Sequence, residues 1–139
     1  MTEPLTFVDT NVLAYAHNMS DAAKHAKAVT FLDRLWTERT GVVSTQVLGE
    51  FYSVLTRKMA MRPQDARRLV HLYAAWPVVH IDVPMLSTAM LRHEHDQQSW
   101  WDCLIVEAAL RAGATRLATE DLQHGSWIDG ILEVANPLV

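Results

Sequence analysis

The sequence predicts an α/β domain built on a short parallel sheet of about five strands flanked by helices. Three observations carry that reading. Apolar runs of strand length recur along the chain, stretches with helical spacing separate them, and no repeat or Gly/Ser-rich linker interrupts the alternation. Strands that alternate with helices form βαβ units, so the sheet is expected to be parallel and covered on both faces. The 139 residues match the size of one ordinary domain, and the whole chain, 1–139, is expected to share one core.

Each element follows from its local pattern. "LTFV" at 5–8 reads as the first strand, and it runs through Asp9, Thr10 and Asn11 into helical spacing over 12–17. A longer helix is expected over 21–36. "GVVS" at 41–44 reads as the second strand, followed by helices over 46–60 and 64–75. "PVVHI" at 77–81 is the third strand, and helices follow over 84–95 and 100–112, the latter closed by Gly113. "TRLAT" at 115–119 and "ILEVA" at 131–135 complete the sheet.

Bulk composition narrows the function. Mean hydropathy is near zero and no segment approaches the ~18 consecutive apolar residues of a membrane span, so a soluble protein is expected. The start, "MTEPLTFVD", has neither a basic nor an apolar export region, and the lone Cys103 excludes an internal disulfide and a four-cysteine zinc site. The cytoplasm is the expected compartment. A net charge of −4 argues against a domain that holds nucleic acid by a broad basic surface alone, yet it is compatible with an acidic site that holds divalent cations.

Four acids occupy the positions where a parallel sheet displays its chemistry, at or near the carboxyl ends of the strands. Asp9 directly follows the first strand, where it reads either as a helix N-cap or as a functional carboxylate. Glu50 lies between Val47 and Val54 on a helix, beside the apolar stripe, where a carboxylate needs a partner. Asp102 stands three residues after Ser99, as in a capping box, and Asp121 follows the fourth strand in "LATEDLQHG". Together they change meaning. Two unit charges ~4 Å apart repel by about 4 kcal/mol at an effective dielectric of about 20, so clustered carboxylates require protons or metal. Carboxylates with water suit Mg²⁺ or Mn²⁺, ions that can activate water for in-line displacement at a phosphodiester.

The stretches "FVDTNVLAYA", "STQVLGEFYSVL", "SWWDCLIVEAALRAGATRLATEDLQHG" and "IDGILEVANP" occur in order over nearly the whole chain. In them the sequence resembles a PIN domain, more narrowly the VapC-type ribonuclease toxins of bacterial toxin–antitoxin pairs. The resemblance implies a three-layer α/β/α sandwich, Mg²⁺-dependent endoribonuclease activity on RNA, a homodimer, and inhibition by a cognate antitoxin protein. It places the acidic positions at Asp9, Glu50, Asp102 and Asp121, with supporting groups at Thr10, Asn11 and Thr119. Asp129 in "WIDGI" reads as an outer acid or, more simply, as a turn residue before Gly130. Trp100, Cys103 and Glu120 fall at positions treated as variable.

Other features have plainer readings. His93 and His95 do not share a helix face, so a solvated helix end is expected over a metal pair. From Arg57 to Arg68 five basic residues face the single Asp65, either as a grip on RNA or an acidic antitoxin segment or as a solvated corner. Trp36, Trp76, Met59, Met61 and Met90 are expected to pack in the core or between subunits. Rival functions fit less well. An aspartyl-nucleophile phosphohydrolase usually has a second Asp where Asn11 stands, and a phospho-accepting domain needs a late lysine, whereas Lys24, Lys27 and Lys58 all lie in the first half. The remaining alternative is a non-catalytic PIN-like RNA-binding or assembly module.

Overall fold

The computed structural model describes residues 4–139. Six strands, β1 (Thr6–Val8), β2 (Gly41–Ser44), β3 (Val78–Val79), β4 (Arg116–Ala118), β5 (Trp127–Ile128) and β6 (Leu132–Ala135), form one sheet in the order β3-β2-β1-β4-β6-β5 among the described residues. Six helices accompany them: α1 (Thr10–Tyr15), α2 (Ala22–Glu38), α3 (Thr45–Arg57), α4 (Pro63–Tyr73), α5 (Val83–His95) and α6 (Trp100–Arg111). None is long and apolar enough to cross a membrane.

Five strands are parallel, as the alternating pattern predicts, and β5 adds an antiparallel edge beside β6. The sequence reading missed this two-residue strand. It exists because Asp129 (φ 54°) and Gly130 (φ 67°) make a tight hairpin in which Ile131 N–H donates to the Ile128 carbonyl at 3.0 Å. Both central residues are left-handed, the conformation that Asp-Gly turns favour. Asp129 is therefore a turn residue, and its carboxylate meets Arg92 Nη2 at 2.7 Å instead of joining the other acids. Arg92 also donates from Nε to Glu107 Oε1 at 2.6 Å, so one guanidinium ties α5 to α6 and to the hairpin.

The central strands carry the core. Phe7, Val8, Val42, Val43 and Leu117 are buried, as expected for a strand covered on both faces, and each such side chain contributes about 1.5–3 kcal/mol. Beside them Trp36, Phe51, Tyr73 and Trp76 stack edge to face or tilted, with centroids 4.9–5.8 Å apart. Gly41 is required here, because a Cβ would lie 2.7 Å from the Trp76 ring. Met59 and Met61 pack against this core, whereas Met90 is exposed on α5.

Two junctions position the site. Ser44 ends β2 and caps α3, its Oγ accepting from Val47 N–H at 3.2 Å. Asp9 likewise joins β1 to α1 and accepts from Thr10 N–H at 2.7 Å. No loop separates strand from helix at either place. The chain moves outward from β1 through β2 to β3, then returns to β4 on the other side of β1, so the switch in strand order falls between β1 and β4.

Candidate active site

At that switch point Asp9 is buried, with 5% of its surface exposed. Its Oδ1 takes the cap bond from Thr10, and its Oδ2 accepts from Thr119 Oγ1 at 2.8 Å. Oδ1 thus serves the helix cap while Oδ2 ties β1 to the end of β4. Asn11 Nδ2 reaches Asp121 Oδ2 at 3.0 Å and Asp9 Oδ2 at 3.4 Å, joining the acids that follow β1 and β4. Thr119 Oγ1 also accepts from Asp121 N–H at 3.1 Å.

Glu50 enters from α3. Thr10 Oγ1 donates to its Oε2 at 3.0 Å and Gln46 Nε2 to its Oε1 at 2.9 Å. Asp9, Glu50 and Asp121 line one cleft of about 420 Å³ together with Thr10, Asn11 and Glu120. Asp102 stands apart from this lining. It is half-buried in the first turn of α6, where Ser99 Oγ caps its backbone N–H at 3.1 Å. Its charge nevertheless raises the pKa of Asp121, so it borders the same acidic field.

Burial dominates the electrostatics. It pushes the Asp9 carboxyl up to about 6, against the lowering effect of its Thr119 and Thr10 bonds, and the charges of Asp121 and Glu50 add to the rise. Asp121 is raised as well, first by burial and then by Asp102 and Glu120. Among the described residues, no Lys or Arg forms an ion pair with Asp9, Glu50, Asp102 or Asp121.

These residues fit a hard divalent cation, because the donors are oxygens and their charge lacks a protein counter-ion. No three His, Cys, Asp or Glu side chains among the described residues form a ready-made metal cage.

Two contributors escaped the sequence reading. Gln46 stands four residues before Glu50, one helical turn away, and that spacing was the available signal. Glu120, treated as variable, lines the cleft, and its Oε2 meets Lys24 Nζ at 2.9 Å. Cys103 is buried, as a small core residue should be, and burial raises its thiol pKa. His93 and His95 lie exposed at the end of α5, with His93 edge-on to Trp100.

Fold and site together define a mostly parallel α/β domain with an acid-lined cleft at the sheet's switch point. The chain belongs to the PIN domain family, whose profile matches residues 6–125. It is 31% identical over 103 residues to the 23S rRNA-specific endonuclease VapC20 of Mycobacterium tuberculosis, a match covering 70% of this chain and 75% of the relative. The crystal structure of M. tuberculosis VapC20, described as a sarcin-ricin loop cleaving toxin, superposes with a TM-score of 0.62 at 26% identity, over 81% of this chain and 86% of that one. A toxin-antitoxin complex from Klebsiella pneumoniae shares the fold, with a TM-score of 0.70 at 14% identity over 95% of this chain and 97% of that one. So does VapBC2 from Rickettsia felis, bound to a DNA fragment from its promoter, at 0.64 and 20% over 95% and 99%.

Proposed function

We propose that this chain is a VapC-type toxin, a Mg²⁺-dependent endoribonuclease that hydrolyses RNA phosphodiester bonds. The observation that carries the reading is a buried Asp9, without an ion pair among the described residues, in one cleft with Glu50 and Asp121. The homology to an rRNA endonuclease supports it. Asp9, Glu50 and Asp121 would hold the ion from the cleft, with Asp102 at its border, and Mn²⁺ is the expected substitute. When bound, the ion supplies an acidified water and charge stabilisation at phosphorus.

The chain's own residues prepare the site. Thr119 and Thr10 fix the two oxygens of Asp9, while Thr10 and Gln46 fix those of Glu50. Asn11 sets the spacing between Asp9 and Asp121. No side chain needs to act as a nucleophile. In this reading the protein works in the cytoplasm as a homodimer and is silenced by a cognate antitoxin protein. Val83, Met90 and Leu91, exposed on α5, give such a dimer apolar surface to bury.

End-group analysis of cleaved RNA tests the chemistry. Direct attack by water leaves 5′-phosphate and 3′-hydroxyl ends, and EDTA stops the reaction. Cyclic 2′,3′-phosphates, or cleavage undiminished by EDTA, would overturn the reading. RNA binding with no cleavage under any divalent ion would leave the non-catalytic module.

A further inference from the structure

A second groove, of about 540 Å³, lies outside the acid cleft. Lys27, Thr30 and Arg34 line it from α2, Arg116 from β4, and His124 and Asn136 from the segments after β4 and β6. In a chain of net charge −4 this is a local concentration of cations. Lys27 and Arg34 form no ion pair among the described residues. Arg116 has only Glu133, at 3.8 Å and substantially exposed, a contact worth little in water. The Arg34 guanidinium lies 5.4 Å from the centroid of Phe31, which also lines the groove.

Helix α2 and its N-cap contribute to both the acid cleft and the groove. Asp21, the N-cap of α2, lines the cleft, and Lys24 in the first turn reaches Glu120 beside Asp121. Lys24, Lys27 and Arg34 follow at spacings of three and seven residues, which keeps them on one side of α2. From Lys24 to Arg34 the helix rises about 15 Å. That length matches about four stacked nucleotides at roughly 3.4 Å each.

We propose that this groove holds the phosphate backbone of the RNA on one side of the scissile bond; the proposal rests on the ribonuclease reading above. RNA is the occupant argued for, because its backbone carries one charge per nucleotide for cations spaced along one helix side to meet, and the path leads to the cleft where the reading above places the scissile bond.

The test measures binding apart from cleavage. Anisotropy of a fluorescein-labelled 20-nucleotide single-stranded RNA of mixed sequence, titrated in EDTA at several KCl concentrations, compares wild type with Lys27→Gln/Arg34→Gln. Arg39→Gln/Arg111→Gln, which removes two exposed charges from the C-terminal ends of α2 and α6, is the control. Losing two phosphate contacts should weaken binding about 25-fold at 0.1 M salt and lower the log–log salt slope by about 1.4, with the control unchanged. Equal losses in both double variants, or none in either, would overturn the groove. So would intact RNA binding combined with lost affinity for a glutamate-rich 20-residue peptide, which would assign the groove to a protein. If wild type cuts RNA and the groove variant binds it normally, the groove fails and the enzyme reading stands. If wild type never cuts but loses binding through the groove variant alone, the reverse holds.

Discussion

Replacing Asp9 by Asn should stabilise the metal-free protein near neutral pH, although it removes a residue proposed to be essential. Asp9 is buried, and its carboxyl is raised from 3.8 to about 6. The sign follows from linkage. The unfolded chain releases this proton near pH 4 and the folded chain holds it until about pH 6, so native stability falls as pH rises through that window. At about 1.36 kcal/mol per pKa unit, the loss is about 1.6 kcal/mol at pH 5 and about 3 kcal/mol at pH 7.5. A protein of this size shifts Tm by about 3–4 °C per kcal/mol, so the Tm advantage of Asp9→Asn should grow by about 5 °C between those pH values. Constant losses, such as the altered bond to Thr119, cancel in that comparison. Calorimetry of both proteins in EDTA at pH 5 and 7.5 provides the measurement. A Tm gap that stays level or narrows as pH rises would refute the burial argument. Adding Mg²⁺ at pH 7.5 should then raise the wild-type Tm and leave the variant nearly unmoved.

Other changes test other parts of the structure. Asp102→Asn should fold normally and lower the RNA cleavage rate about 10²–10³-fold in single-turnover assays, the loss of ~3–4 kcal/mol of transition-state stabilisation. Arg92→Met strands Glu107 and releases Asp129, so urea unfolding should show a loss of about 2–4 kcal/mol without a change in metal binding. Gly41→Ala drives a methyl into the Trp76 ring and should lower stability by about 1–3 kcal/mol, visible with a shift in tryptophan fluorescence. Sedimentation at micromolar concentration should show a dimer, and a monomer alone would contradict the proposed assembly.

Much of this architecture was legible because strand and helix periods differ. "GVVS" coincides with β2 at 41–44, and Gly113, left-handed at φ 72°, closes α6 as its sequence position predicts. The helix read as ending at 60 stops at Arg57, because Ala60 turns left-handed at φ 51° and Met61 N–H bonds back to the Leu55 carbonyl. "PVVHI" keeps only two strand residues, since Ile81 N–H bonds to Thr45 Oγ1 instead of a neighbouring strand. Asp9 and Asp121 could be placed at the sheet edge from the chain alone because each follows a strand, whereas Glu50 and Asp102 ride on α3 and α6. The partners of the cleft residues could not be placed. Lys24 and Glu120 are 96 positions apart, and Asn11 and Asp121 are 110 apart, so only the closed fold brings them together.

The loop after β4 has a different kind of attachment from the two junctions that carry Asp9 and Ser44. Glu120 N–H is held by Asn11 Oδ1 at 3.4 Å, and Asp121 N–H by Thr119 Oγ1, so side chains that contact Asp9 also secure this backbone. The proton on Asp9 and the anchoring of residues 120–121 are therefore linked equilibria. Hydrogen exchange at these two amides becomes an internal gauge of the cleft's ionisation. It should respond to pH and ion binding while the amides of β1 and β2, buried in the ladder, keep the slow exchange of the global fold.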